Sequence, residues 1–189
     1  MTYEKIGFIA LSTCLSAREK PVLNRTARLL RKALECQTVF FGPHLFSSDS
    51  EIRHVTAPLE DRAEVFKQAI RDLDLIISIA GGTGAEDLVS KIDAKDFRVI
   101  RERRPLFIGF SDFTFLLSEI YHACRVPVIY FPSLKVGKGD FQNLLALING
   151  EEIHYQGAAW LTPPPPRKLS GIPIGGNLST FVNFLNRGQ

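Results

Sequence analysis

The sequence has few cysteines, and none of them is spaced for a disulfide framework or a zinc site. Cys14, Cys36 and Cys124 lie far apart, outside any Cys-x-x-Cys motif. No apolar run approaches the roughly 18 residues that a membrane-spanning helix needs. The N-terminal MTYEKIGFIAL lacks the basic region and cleavage site of a secretory signal. The sequence therefore predicts a cytoplasmic protein with no membrane segment, no metal and no cofactor.

An excess of charge of either sign is also lacking. Twenty-three basic and 20 acidic residues give a net charge of +3, which is too small to indicate binding to nucleic acid or to a membrane surface. The densest basic cluster, within residues 98–104, is interpreted as a solvated helix end or turn. A chain of 189 residues that is 45% hydrophobic is typical of one globular domain with a short appendage.

Short apolar segments alternate with amphipathic ones along the first 150 residues. They predict strands over 5–11, 37–41, 74–80, 106–110 and 126–131, and helices over 21–35, 59–72, 85–91, 112–124 and 140–149. This alternation is typical of an α/β fold with a Rossmann-like parallel sheet and helices on both faces. Such sheets bind ligands at the carboxyl ends of their strands.

The composition changes after Gly150. Four consecutive prolines, Pro163–Pro166, predict an extended linker over 151–170. We interpret 1–150 as the α/β domain and 171–189, with a strand-like GIPI and a helix, as the first elements of an incomplete C-terminal domain. One face of that helix is apolar, and we expect the chain to associate through this face, for example as a homodimer. Its residues are Leu178, Phe181, Val182 and Leu185.

A glycine-rich stretch, SIAGGTGAEDL, follows the third predicted strand. Its N–H groups beside a helix N-terminus would suit an anion. The phosphate-loop pattern fails because Ala85 and Glu86 stand where Lys and Ser/Thr are needed, and the dinucleotide pattern fails because Asp87 replaces a glycine. These two failures weaken the interpretation of the chain as a nucleotide-binding domain. A tight turn that packs helix against strand is the alternative to an anion site.

A second turn, in RPLFIGFSDFTFLL, presents Ser111 between a strand and a helix. A serine on such a turn is either a nucleophile or an N-cap of the helix. The nucleophile-elbow pattern is incomplete because Phe113 stands where it has glycine. If the third and fourth strands are neighbours, a backbone donor at Gly82 would face Ser111, which is the arrangement that acyl transfer requires.

Several ordered motifs resemble the murein LD-carboxypeptidase family, which includes peptidases giving immunity to microcin C-type antibiotics. The family pattern has an arginine at the helix before the third strand, a Gly-Gly turn, a leucine and an Ile-Asp, followed by Gly-Tyr-Ser-Asp-x-Thr and Gly-Gly-Asn-Leu. The matching residues are Arg62, Gly81-Gly82, Leu88, Ile92-Asp93, Gly109–Thr114 and Gly175–Leu178. The resemblance covers nearly the whole chain.

The resemblance implies a metal-free serine peptidase with Ser111 as the nucleophile and the N–H groups of Asp112 and Gly82 as the oxyanion hole. The implied reaction is hydrolysis of an amide next to a free carboxylate, in a muropeptide or a small peptidyl-nucleotide. The residues expected to contact this substrate are Gly81, Thr83 and Gly109.

Departures from the family pattern bear on substrate and activity. Ala80 and Thr83 stand where many members have an arginine and an aromatic, and Phe131-Pro132-Ser133 replaces a Gly-Pro strand end. The family's Glu and His lie well beyond Gly-Gly-Asn-Leu, so we expect these 189 residues alone to hydrolyse little or nothing. The histidines present are His44, His54, His122 and His154. The alternative is a non-catalytic binding module that keeps the amide-lined pocket.

Overall fold

A five-stranded parallel sheet organises the chain in the computed structural model, which describes residues 2–46, 55–132, 138–153 and 172–187. The strands are β1 (Lys5–Ile9), β2 (Thr38–Phe41), β3 (Leu75–Ser78), β4 (Leu106–Gly109) and β5 (Val128–Tyr130). Their order in the sheet is β2-β1-β3-β4-β5, and every neighbouring pair is parallel. The predicted α/β class is confirmed.

Six α-helices accompany the sheet within the described ranges. They are α1 (Lys20–Ala33), α2 (Leu59–Asp72), α3 (Ala94–Arg103), α4 (Phe113–Cys124), α5 (Lys138–Asn149) and α6 (Leu178–Asn186). Single 3-10 turns cover Ala17–Glu19 and Asp87–Lys91. A helix follows each of the five strands, and the helices after β1, β2, β3 and β4 lie in the crossover connections that parallel strands require.

Two hydrophobic cores lie on the two faces of the sheet. One contains apolar residues of α2, α3 and α4, with Phe66 stacked on Phe107 at 6.3 Å between ring centroids. The other contains residues of α1 and α5, among them Leu23, Leu30 and Leu144. Each fully buried Leu or Phe contributes about 1.5–3 kcal/mol. Both faces of β3 and β4 are buried, which explains why these strands are continuously apolar.

The order of strands places the loops after β1, β3 and β4 side by side. The chain moves outward from β1 to β2 and then crosses to β3 on the other side of β1, which makes the β1–β3 boundary the topological switch point. The expectation that β3 and β4 are neighbours is confirmed, since Ile76 pairs with Phe107. The two glycine- and serine-bearing turns therefore lie at one edge of the sheet.

The region between β3 and β4 differs from the prediction. The helix expected over 85–91 is a 3-10 turn, Asp87–Lys91, and an unpredicted helix, α3, follows it. Asp93 caps α3 by accepting hydrogen bonds from Lys95 N at 2.7 Å and Asp96 N at 3.1 Å. The basic cluster lies at the exposed end of α3, where Arg104 adopts φ 52° as its C-cap, so the predicted helix end is confirmed.

The C-terminal segment packs on α4. Phe184 of α6 makes an edge-to-face contact with Phe115 at 5.7 Å, and Arg187 pairs with Glu119 at 2.8 Å. Residues 172–174 belong to no strand, so the strand predicted for GIPI is wrong for those three residues. Within the described ranges, residues 172–174 form no β-pairing with another segment, and a single extended segment is not a strand without such a partner.

The apolar face predicted for α6 is divided between two environments. Phe181 is half-buried beside Phe184, while Leu178, Val182 and Leu185 are exposed. Association through this exposed stripe stays a prediction. Of the linker predicted over 151–170, residues 154–170, with the four prolines, lie outside the described residues. In the ranges that the structure describes, no helix has the length and apolar character needed to cross a bilayer.

We predict that Gly109→Ala destabilises the protein by about 1–3 kcal/mol through overpacking. A β-carbon at Gly109 would lie 2.0 Å from Cδ1 of Phe113, whose ring is fully buried at the start of α4. Urea unfolding measures the loss. The matched control is Gly139→Ala in α5, where nothing lies within 4 Å of the added carbon. That variant should gain up to about 1 kcal/mol; equal effects of the two substitutions would contradict the prediction.

Candidate functional site

Ser111 lies on the tight turn between β4 and α4. Its backbone has φ 57°, a left-handed conformation that residues other than glycine rarely adopt. The N-cap of α4 is Asp112, and no side chain caps that helix, so the interpretation of Ser111 as an N-cap is wrong. A strained turn of this kind presents a serine hydroxyl at the top of a sheet.

The Gly-Gly turn after β3 lies directly against Ser111. A β-carbon on Gly81 would be 2.7 Å from Ser111 Oγ, so this contact requires glycine. Gly82 has φ 139°, and a β-carbon there would be 2.4 Å from Cγ2 of Thr13. The Thr13 hydroxyl also donates to the Gly81 carbonyl. The loop after β1 therefore supports the Gly-Gly turn, while the role of the Gly82 N–H as an oxyanion donor stays a prediction.

The Asp112 carboxylate connects three loops. It accepts hydrogen bonds from the Ser12 hydroxyl at 2.9 Å and from the Ala85 N–H at 3.2 Å. Burial raises the pKa of Asp112 above its ordinary value, although these two hydrogen bonds favour the charged form and oppose the rise. The side chain next to Ser111 thus fixes the loops after β1 and β3 relative to α4.

Arg62 is a buried arginine in the first turn of α2, with 3% of its surface exposed. Its guanidinium donates to three main-chain carbonyl groups, those of Ala57 at 3.0 Å, Leu11 at 2.8 Å and Gly84 at 2.7 Å. Burial lowers the pKa of Arg62, and Asp87 and Asp112 counteract that effect. An arginine remains charged under these conditions, so this cation is satisfied by the main chain of the same loops that Asp112 holds.

Tyr130 borders the site from the end of β5. Its hydroxyl oxygen accepts a hydrogen bond from the Ser111 N–H at 3.4 Å. The same tyrosine lines a groove of about 800 Å³ between α4, β5 and residues 172–176, together with the apolar Leu117 and Ile174 and the cation of Arg125. An apolar groove with a few polar groups is the usual form of a small-molecule site.

The Gly-Gly-Asn-Leu motif docks on the first turn of α4. The Asn177 N–H donates to Oγ1 of Thr114 at 3.0 Å, and a β-carbon on Gly176 would lie 2.5 Å from Cγ2 of the same threonine. Gly176 has φ 147°, and the Asn177 side chain caps α6 through Thr180 N. Two motifs far apart in the sequence therefore meet three residues after Ser111.

The two histidines in the described ranges, His44 and His122, are exposed. His44 is in the loop after β2, where its carbonyl accepts from the Thr56 hydroxyl, and the His122 ring contacts Phe184. Neither donates to or accepts from Ser111. His54 and His154 lie outside the described residues. Within those same ranges, no group of three or more His, Cys, Asp or Glu side chains is arranged to hold a metal.

A model of the LD-carboxypeptidase N-terminal domain family matches residues 6–131. The chain belongs to this family. The match contains all five strands together with both turns that meet at Ser111. The resemblance identified from the sequence motifs is therefore confirmed.

Individual relatives agree with the family. The chain is 28% identical over 159 residues to a Vibrio cholerae protein named as a carboxypeptidase, covering 67% of this chain and 47% of that protein. It is 29% identical over 135 residues to a Bacillus subtilis protein named as a murein peptide carboxypeptidase, covering 67% and 41%. The chain thus spans about half the length of these curated relatives.

A solved structure shows the same fold. The microcin C7 self-immunity protein MccF, in its wild-type apo state, superposes with a TM-score of 0.71 at 18% identity, covering 98% of this chain and 64% of that one. At this identity the similarity concerns the fold.

Some contacts of the site had no predicted role. Arg62 and Asp112 belong to motifs identified in the sequence, but those motifs give no role to the Arg62 guanidinium or the Asp112 carboxylate, and Tyr130 belongs to no motif. Each of the three groups acts on residues distant in the chain. The available signal was positional: Tyr130 ends a strand, and Arg62 sits among the apolar positions of an amphipathic helix. Gly109, predicted to contact substrate, lies inside β4 with its Cα against the Phe113 ring, and Thr83 is exposed beside Gly82.

We predict that Gly82→Ala destabilises the protein by about 1–3 kcal/mol, because alanine is strained at φ 139°. The added methyl group would also overlap the Thr13 side chain. Thr13→Ser removes the overlapping Cγ2 and keeps the hydroxyl, so the double variant should recover part of the loss in urea unfolding. Strict additivity of the two substitutions would show that Thr13 does not confine Gly82.

The raised pKa of Asp112 predicts a pH dependence of stability. Because the folded state favours the protonated form, this contribution is present below the ordinary pKa of 3.8 and is lost as pH rises through the higher folded value. The stability of Asp112→Asn relative to the unsubstituted chain should therefore increase as pH rises above 3.8. Urea unfolding at a series of pH values measures this difference.

The control for that experiment is Asp93→Asn. Hydrogen bonds from the Asp96 and Lys95 N–H groups lower the pKa of Asp93, so its contribution is present above 3.8 and is lost as pH falls through the lower folded value. The relative stability of this variant should change in the opposite direction and below pH 3.8. The same trend for both variants would contradict the assignment for Asp112.

Proposed function

We propose that this chain carries the nucleophile of an LD-carboxypeptidase-type serine peptidase. The observation that carries the proposal is the meeting of two turns: Ser111, at φ 57° on the β4–α4 turn, lies against Gly81 of the glycine-rich turn. Membership of the LD-carboxypeptidase N-terminal domain family supports the same assignment.

In the proposed reaction, Ser111 Oγ attacks the carbonyl carbon of the scissile amide. The N–H groups of Asp112 and Gly82 stabilise the oxyanion, and the amine leaves with a proton supplied by a general base that first accepted the serine proton. Water then hydrolyses the acyl-enzyme. The rigid, left-handed turn at Ser111 fixes the hydroxyl, so little conformational entropy is lost when the tetrahedral intermediate forms.

The proposed substrate is a small peptide, or a peptidyl-nucleotide, cut at an amide next to a free carboxylate. The name of the Bacillus subtilis relative supports a murein peptide, and a structure of MccF in complex with aspartyl sulfamoyl adenosine supports the peptidyl-nucleotide type. We further propose that Gly81, Thr83 and Gly109 border the position of the scissile bond. Of these, Gly81 has direct support from its contact with Ser111.

The general base is proposed to come from a C-terminal domain. We propose that 1–150 form the nucleophile-bearing domain, that 151–170 are a linker and that 171–189 open the second domain. The docking of Asn177 on Thr114 supports this division, because it fixes the start of the second domain three residues from the nucleophile. On this basis the 189 residues alone hydrolyse little or nothing.

A second candidate function is a non-catalytic binding module that retains the amide-lined pocket. The observation that favours it is that neither described histidine contacts Ser111. A serine hydroxyl without a base is a poor nucleophile, whereas a cluster of main-chain N–H groups can still bind a carboxylate.

We predict that a chimeric protein, with residues 1–187 followed by the C-terminal half of the Bacillus subtilis relative, releases D-alanine from an LD-linked muramyl tetrapeptide. The chain alone should release none above background. In the chimera, Ser111→Ala should reduce turnover by roughly 10³-fold or more. Liquid chromatography of the released amino acid measures all three rates.

The matched control is Ser90→Ala, which changes an exposed serine of the 3-10 turn whose hydroxyl donates to the Asp87 carbonyl at 2.6 Å. It should keep turnover in the chimera. A folded chimera that is inactive but binds the tetrapeptide product would favour the binding module. Turnover by the chain alone that Ser111→Ala abolishes would refute the proposed inactivity.

A further inference from the structure

A single peptide group of the glycine-rich turn is held from both sides by opposite charges. Its carbonyl, that of Gly84, accepts from Nη1 of Arg62 at 2.7 Å. Its N–H, that of Ala85, donates to Oδ2 of Asp112 at 3.2 Å. The cation and the carboxylate therefore bind the two ends of the same peptide dipole.

The loop after β1 is held in the same way. The Leu11 carbonyl accepts from Nη1 of Arg62 at 2.8 Å, and the next side chain, the Ser12 hydroxyl, donates to Oδ1 of Asp112 at 2.9 Å. Both carboxylate oxygens and one guanidinium nitrogen are thus used by the same two loops. These loops flank the topological switch point of the sheet.

The two charged groups are not in direct contact. Among the ion pairs found in the described ranges, none joins Arg62 to Asp112. Their interaction passes through the bridging Gly84–Ala85 peptide group, which each charge polarises in the direction that strengthens the bond to the other. Gly82 lies two residues before this clamped peptide, and Thr13, which follows Ser12 in the chain, packs against Gly82.

We propose that Arg62 and Asp112 are positioning residues: they form a peptide-bridged ion pair that orients the Gly82 N–H towards Ser111, and protonation of Asp112 releases this turn. The proposal rests on the proposed function only in naming the Gly82 N–H as an oxyanion donor. The bridge thereby makes the geometry of the site depend on pH even though neither charged side chain takes part in the chemistry.

Other charged groups act on this pair. Asp87, from the 3-10 turn, and Glu60, from the first turn of α2, favour the charged form of Arg62. Burial acts in the opposite direction on both members and raises the pKa of Asp112. The carboxylate is therefore stabilised mainly by the bridge, and loss of the bridge should make it protonate at higher pH.

Nuclear magnetic resonance of the ¹⁵N-labelled full chain tests the proposal. The amide signals of Ala85 and Gly82 are followed as a function of pH. In the unsubstituted chain both should shift with one common midpoint, that of Asp112. Arg62→Gln should raise this midpoint by about 1 pH unit, Arg62→Lys should raise it less, and the exposed control Arg71→Gln, which loses only a surface pair with Glu64, should leave it unchanged.

If the Arg62 variants fail to fold, the same amide titration of Asp112→Asn provides a second test. Its Ala85 and Gly82 amides should lose the titration and keep the shifts of the protonated form at every pH. The proposal is overturned if Gly82 stays constant while Ala85 titrates, or if Arg62→Gln leaves the midpoint unchanged. A purely structural role of Arg62 predicts the same midpoint in every folded variant.

This experiment is independent of turnover. If the chimera is inactive and the two amides still share a midpoint that responds to Arg62, the bridge stands and the assignment as a peptidase fails. If the chimera is active and the amides do not move together, the peptidase assignment stands and the bridge fails.

Discussion

The site depends on a partly buried carboxylate, that of Asp112, which has hydrogen-bond donors rather than a cation as its direct partners. Asp112 loses hydration at the start of α4, and its carboxylate accepts hydrogen bonds that reach across loops from Ser12 and Ala85. A buried charge left without partners costs several kcal/mol, so the loops after β1 and β3 are held where those donors meet it. Arg62 holds the same two loops through their carbonyl groups, because its guanidinium donates to the Leu11 and Gly84 carbonyls.

Close approach of main chains is the second constraint. Gly81 against Ser111, Gly82 against Thr13 and Gly176 against Thr114 each leave no space for a β-carbon. These contacts bring three segments that are far apart in sequence within reach of one serine. Because these groups are in close contact, a displacement of the loop after β1 would displace the Gly-Gly turn. A displacement of that turn would in turn displace the Ser111 side chain.

The family match accounts for the part of the chain that contains the two turns meeting at Ser111. The match to the N-terminal domain includes the strand-to-helix turn and the glycine-rich turn. The Gly-Gly-Asn-Leu motif, beyond that match, is already docked on α4. In the proposed reaction, this domain would preorganise the nucleophile and the oxyanion hole, and a base from elsewhere would act on Ser111.

The five strands, the helix Leu59–Asp72 and the parallel α/β class follow from the sequence, because apolar periodicity indicates which faces are buried. It also identified Ser111 and Gly81-Gly82 as the two informative turns. It missed α3, whose cap at Asp93 is a short and weak signal. The contacts of the site came from the three-dimensional structure alone: Tyr130 reaches the Ser111 N–H, Ser12 donates to Asp112, and Arg62 and Asp112 share one peptide group. The physical reason is that these contacts join residues 19 to 100 positions apart, which no local pattern can encode.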